Sequence, residues 1–191
     1  MSFILDAAGG GGEAGSMTTH AESPSPSPSA AIEISPLGGD ADAHAFRALN
    51  EAWITTLFAL EPDDERVLAD PRGQIVDRGG AVLLARDGDR VVGCVALIPE
   101  GDGMWELAKM AVDESVRGRG TGRRLLLAAL DEARRRGAGA VVLGSSVDLP
   151  AAVHLYESVG FRHVRPEEVG HMPYARASVF MRHDLGGTPG A

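Results

Sequence analysis

Arg117-Gly118-Arg119-Gly120-Thr121-Gly122-Arg123-Arg124 stands between a β-rich run and a long amphipathic stretch, and its reading decides the fold. The glycines let the backbone approach a ligand closely. The amides that open the following helix point outward, and four arginines bring positive charge to one place. The segment suits a pyrophosphate. A nucleotide triphosphatase loop requires Lys and then Ser or Thr after its last glycine, and Arg123-Arg124 occupy those places. A dinucleotide fingerprint requires a third Gly or Ala where Arg123 stands and an acid at the end of the next strand, where Gly144 and Ser145 lie. A Gly-rich turn with solvated arginines remains the plain alternative.

Working outward, residues 120–136 are helical by pattern, with Leu125, Leu126 and Leu130 on the inner face and Gly137 ending the run. Upstream, Ala81 to Arg86 and Arg90 to Ile98 are β-rich runs joined by Asp87-Gly88-Asp89, a hairpin signal. Gly101-Asp102-Gly103 turns the chain into a third run, Met104 to Val112, so a three-strand antiparallel meander is expected. Downstream come a short strand at Val141 to Leu143, a helix over Pro150 to Ser158, and final strands at Phe161 to Val164 and Ser178 to Met181. Near the start, Ile32 and Ile34 alternate with Glu33 in a strand that stops at Pro36. Phe46, Leu49, Trp53, Ile54 and Leu57 then recur at helical spacing. A helical stretch from Asp63 to Leu68 is expected to close at Asp70-Pro71. The order predicts an α/β (α+β) fold with a mixed, mostly antiparallel central sheet flanked by helices.

At 191 residues the chain suits one domain with tails. Residues 1–30 are rich in Gly, Ser and Pro and read as a disordered tail, residues 31–185 as the folded domain, and residues 186–191 as a second short tail. A formal charge of −9 argues against a sequence-independent nucleic-acid binder, so an anionic ligand needs a local basic patch. The single cysteine, Cys94, excludes an internal disulfide and reads as a buried strand residue in a reducing compartment. The six histidines show no metal-ligand spacing, and no metal is expected. No segment reaches the apolar length of a membrane span, and Phe3-Ile4-Leu5 lacks a basic region before it, so a cytoplasmic protein is expected.

Arg117, Gly120 and Gly122 match the Gln/Arg-x-x-Gly-x-Gly/Ala motif of the GNAT superfamily of N-acetyltransferases, which the chain resembles over roughly residues 32–185. Leu155-Tyr156-Glu157-Ser158-Val159-Gly160-Phe161 resembles the family's Leu-Tyr-x-x-x-Gly-Phe element. Two motifs at the expected separation are more specific than either alone. Within the family, the stretch from Leu49 to Val112 resembles the catalytic halves of regulators that fuse a MarR-type DNA-binding domain to a GNAT domain. The DNA-binding half has no counterpart in this sequence.

The resemblance implies an acetyl-CoA-dependent acyltransferase that acts on an amine by direct transfer in a ternary complex. It implies pyrophosphate contacts from Arg117, Gly118, Arg119, Gly120, Thr121, Gly122 and Arg123, with the amides of residues 119–124 as donors. It also implies pantetheine contacts from the backbone of Met110, Ala111 and Val112. Glu106 matches the position of a general base, and Tyr156 that of a general acid toward the CoA sulfur. Pairing with Lys109 is the alternative for Glu106, although strand alternation sends the two to opposite faces unless a bulge intervenes. Core packing is the alternative for Tyr156. Ser146 and Gly144 depart from the family pattern, where Asn and an acidic residue are common. A non-catalytic acyl-CoA-binding module and a protein lysine or N-terminal acetyltransferase are the competing functions. The acceptor is unspecified, its pocket is expected from a loop such as Glu61 to Gly80, and the oligomeric state is monomer or homodimer.

Overall fold

The structure, a computed structural model, describes residues 31–170, 172 and 174–186. The tail expected over residues 1–30 and nearly all of that over 186–191 lie outside the described residues. In chain order the elements are β1 (Glu33–Pro36), α1 (Asp40–Leu57), α2 (Pro62–Ala69), α3 (Pro71–Gln74), β2 (Ala81–Asp87), β3 (Arg90–Gly101), β4 (Met104–Val112), α4 (Thr121–Arg135), β5 (Ala140–Ser145), α5 (Pro150–Val159), β6 (Arg162–His163) and β7 (Val179–Asp184).

Seven strands form one sheet in the order β1-β2-β3-β4-β5-β7-β6. All neighbours are antiparallel except β4 and β5, which run parallel. The mixed α/β architecture is the one the sequence pattern predicts. Its core is fed by the inner face of α4, where Leu125, Leu126, Ala129, Leu130 and Ala133 are all buried. Each leucine there contributes about 1.5–3 kcal/mol of apolar transfer. Phe46 and Ile54 do the same from α1 on the sheet.

Three local expectations change. Pro71 opens α3 instead of closing the preceding helix, because the Asp70 side chain accepts a hydrogen bond from the Gly73 amide at 2.8 Å and proline suits a first helical turn. Strand β7 extends to Asp184, since it pairs along the whole of β5 from Ser145↔Val179 to Ala140↔Asp184. Strand β6 shrinks to Arg162 and His163, the residues that find partners on β7.

Two irregularities in β4 position the site. Its pairing with β5 covers Met104, Trp105 and Glu106 and goes no further, so the two strands part immediately after Glu106. On the other edge, Cys94 faces Ala111 while Ala96 faces Ala108, which leaves one extra residue on β4. Lys109 takes up this bulge at φ +50, a left-handed conformation uncommon for a side-chain-bearing residue. The Cys94 thiol donates to the Lys109 carbonyl at 3.5 Å, and Asn50 of α1 donates to the sulfur at 3.3 Å.

Candidate functional site

The N-terminus of α4 differs from those of α1 and α2. The first turns of α1 and α2 carry Asp40 and Asp42, and Asp63, Asp64 and Glu65, respectively. The first turn of α4 has no acidic residue. Gly120 precedes it at φ +76, a conformation that favours glycine, and a Cβ built there meets no protein atom within 4 Å. The first amides of a helix have no intrahelical acceptor, so those of Thr121, Gly122 and Arg123 face outward together with the positive end of the helix dipole. Arg124 is not part of this set. Its amide donates to the Gly120 carbonyl at 3.0 Å, and its guanidinium turns to the Ile32 carbonyl at 2.5 Å. The expected amide cradle therefore ends at Arg123.

A groove of about 270 Å³ lies over these amides. Of the expected cofactor residues, Val112, Arg117, Gly118, Gly120, Thr121, Gly122 and Arg123 line it, with Ala151 and Leu155 of α5 opposite. Arg123 is held by the Ser158 hydroxyl at 3.0 Å and Arg117 by Glu114 at 2.9 Å. Arg119 does not line the groove; its guanidinium lies 3.4 Å from Asp87, and its amide points to the Val116 carbonyl at 3.4 Å. Met110 and Ala111 are buried between the bulge and Val112, with no β5 partner on the edge where the strands part. Tyr156 follows Leu155 directly, is wholly buried, and packs edge-on against Phe161 with ring centroids 5.9 Å apart.

Glu106 is also buried, and it lines a second pocket of about 370 Å³. Asp63, Arg66, Val67, Gln74, Ile75 and Arg78 form one wall, all from the stretch expected to shape an acceptor pocket, and Tyr174 stands beside Glu106. Strand β4 thus connects the two cavities, with Glu106 in one and Val112 in the other. A larger cavity of about 620 Å³, lined by β1, β2 and α4, shares no residue with either.

Behind Glu106 lies a polar cluster that neither motif contains. Lys109 Nζ sits 2.6 Å from Asp64 Oδ1 and donates to the Tyr174 hydroxyl at 2.8 Å. Arg176 grips the same carboxylate with both terminal nitrogens at 2.7 and 2.8 Å and reaches Glu61 at 2.8 Å. Burial pushes the Asp64 carboxyl upward, but the hydrogen bonds of Arg176 and the charge and hydrogen bond of Lys109 outweigh it and hold the group well below the usual carboxylate range. Burial pulls the Lys109 ammonium below its ordinary value, opposed by Asp64. The bulge is what brings Lys109 into this cluster, and its ion-pair partner is Asp64, not Glu106. Among the described residues, no group of three or more His, Cys, Asp or Glu side chains is arranged to hold a metal.

The sequence profile of the acetyltransferase (GNAT) family matches residues 45–161, more than half of the chain. The chain belongs to the GNAT family. This GNAT chain is 32% identical over 102 residues to the N-acetyltransferase YvbK of Bacillus subtilis, a match covering 52% of the chain and 66% of the relative. It is 41% identical over 81 residues to the mycothiol acetyltransferase of Rhodococcus erythropolis, covering 41% of the chain and 26% of the relative. The match thus spans less than two thirds of either relative. Among solved structures, a GNAT acetyltransferase of Staphylococcus aureus superposes with a TM-score of 0.75 at 21% identity, over 81% of this chain and 99% of that one. That likeness concerns the fold.

Sequence reasoning did not find Asp64, Tyr174 or Arg176. The available signal was Lys109, the only lysine in the chain. A compact ammonium fits between a carboxylate and a phenol where a planar guanidinium does not.

Proposed function

We propose that the chain is an acetyl-CoA-dependent N-acetyltransferase that transfers the acetyl group to a primary amine by direct attack in a ternary complex. One observation carries the reading: Glu106 is the last β4 residue paired to β5 and opens on a separate pocket, while the same strand runs on to Val112 in the groove over Gly120.

In this reading the pyrophosphate rests on the amides of Thr121, Gly122 and Arg123, with Arg117 and Arg123 countering its charge. The pantetheine arm enters the gap between β4 and β5 and pairs with the open backbone edge of residues 110–112. The acceptor enters from the Glu106 side. An ammonium is not nucleophilic, so Glu106 takes its proton, directly or through water. The nitrogen lone pair attacks the thioester carbonyl, the C–S bond breaks, and Tyr156 gives its phenolic proton to the departing thiolate; the nitrogen, cationic after attack, releases its second proton to solvent, from which the tyrosinate regains one, and Glu106 sheds its proton to solvent. The product is an amide and free CoA. The likeness of residues 49–112 to the catalytic halves of MarR-fused regulators lends no regulatory role.

An acetyl-CoA consumption screen over amines, amino acids and peptides tests this reading. Acetylation of an amine with stoichiometric CoA release is expected, and a chain that binds acetyl-CoA but acetylates none of them contradicts it.

A further inference from the structure

The pocket beside Glu106 carries two features that a bare amine does not use. The first is Tyr174. Its hydroxyl oxygen already accepts from the Lys109 ammonium at 2.8 Å, and two cations lie against its ring, with Lys109 Nζ 4.2 Å and the Arg176 guanidinium carbon 4.8 Å from its centroid. A phenol has one proton to give. With the oxygen engaged by Lys109 and the ring fixed, that proton makes Tyr174 a hydrogen-bond donor in the pocket wall. The second is Arg78. It lines the same pocket and forms no hydrogen bond or ion pair among the described residues, whereas Arg66 of the same wall is held by Asp63 at 2.9 Å. The turn that carries Arg78 is fixed from behind: Arg136 donates to the Gly79 carbonyl at 2.9 Å, and the Gly80 amide to that of Ile75 at 2.9 Å.

A donor hydroxyl and an uncommitted guanidinium both call for an anionic oxygen, and Glu106 calls for an amine. We propose that the acceptor is a free amino acid, its amine at Glu106 and its carboxylate recognised by Arg78 and Tyr174. This rests on the acetyltransferase reading above and names its substrate class. The volume of about 370 Å³ is near the lower end for small-molecule sites, roughly 300–1,000 Å³, and suits a single amino acid better than a polypeptide segment. Tyr174 and Arg78 are positioning residues in this scheme; the proton moves through Glu106. Lys109, Asp64 and Arg176 act one step further back, by fixing the Tyr174 ring and its hydroxyl.

The test uses the full chain with acetyl-CoA and, as acceptors, the twenty L-amino acids, each beside the amine that remains when its carboxylates are replaced by hydrogen. CoA release is followed with a thiol reagent. The expected result is at least one amino acid whose kcat/KM exceeds that of its carboxyl-free amine ten-fold or more. Tyr174→Phe and Arg78→Met are each expected to lower that kcat/KM at least five-fold, mainly through the acceptor KM, with acetyl-CoA affinity retained. Because Arg78 is exposed, its variant folds normally and keeps the test independent of any packing loss at Tyr174. Equal or better turnover of the carboxyl-free amines, turnover of peptides alone, or acceptor KM values unmoved in both variants would overturn the proposal. Calorimetric titration with acetyl-CoA separates the two levels. A chain that binds acetyl-CoA and acetylates only carboxyl-free amines retains the proposed function and loses this inference, whereas one that neither binds acetyl-CoA nor releases CoA loses both.

Discussion

Lys109 and Asp64, 45 positions apart in sequence, meet at 2.6 Å with both side chains wholly buried, tying the bulge of β4 to the first turn of α2. The pair is held from both ends, by Tyr174 on the lysine and Arg176 on the carboxylate. It anchors the wall of the pocket that Glu106 shares.

Removing one member of this cluster leaves an uncompensated buried charge. Asp64→Asn is expected to destabilise the chain by about 3–5 kcal/mol in urea titration at neutral pH. The loss is also pH-dependent in a defined direction. The folded-state pKa of Asp64 lies below the ordinary carboxyl value of 3.8, so well above that value both states are ionised and its stabilisation is complete. As pH falls below 3.8 the unfolded chain takes up a proton that the folded chain refuses, and stability declines. Thermal melts between pH 5 and 2 are therefore expected to fall less steeply for the Asn variant than for the parent. Parallel slopes would remove Asp64 from this account.

Cys94 is expected to be inert in the folded state. Burial pushes its thiol up to about 12, so almost none is thiolate at neutral pH. A disulfide reagent should titrate the single thiol only after denaturant is added. Rapid labelling of the folded chain would show that β3 and β4 open at the bulge.

Glu106→Gln preserves size and removes the proposed base. The expected defect in turnover is ten-fold or more near pH 7 and shrinks as pH approaches the pKa of the acceptor amine, near 10 for a lysine-like group. A defect of constant size across pH would assign Glu106 to positioning.

Tyr156→Phe keeps the edge-on packing with Phe161 and deletes the proposed proton donor. Turnover is expected to fall roughly ten-fold or more, within the range of general acid–base contributions, with acetyl-CoA affinity nearly intact. An unchanged rate, with chemistry shown to be rate-limiting, would return Tyr156 to the core.

Local signals in the sequence carried most of the fold. The turn at Asp87-Gly88-Asp89, the apolar spacing of Leu125, Leu126 and Leu130, and the glycines around the start of α4 each act over a few residues, and the elements they specify are present. The bulge at Lys109 was legible only as a condition, because alternation alone cannot tell whether a strand carries an extra residue. Its cause is tertiary: opposite the bulge, the Lys109 carbonyl takes the thiol of Cys94 and its ammonium finds Asp64. The partners Tyr174 and Arg176 lie more than 60 positions from Lys109, beyond any sequence window. Four clustered arginines read as one basic patch, yet Arg124 faces Ile32 and Arg119 faces Asp87, because residues on successive turns of backbone leave in different directions.

The groove over the amides of α4 is the proposed acetyl-CoA site. Calorimetric titration of acetyl-CoA into the parent chain and into Gly120→Glu, beside circular dichroism and melting of both, tests it directly. The left-handed backbone at Gly120 costs a side-chain-bearing residue about 1–2 kcal/mol, which lowers the melting temperature without unfolding the chain. The glutamate would then extend into space that no protein atom occupies and place its carboxylate among Arg117, Arg123 and the free amides. The expected result is a folded variant with no measurable acetyl-CoA binding beside a parent that binds it. A folded variant that binds with the parent's affinity, or a parent that binds none, would contradict the assignment of this groove.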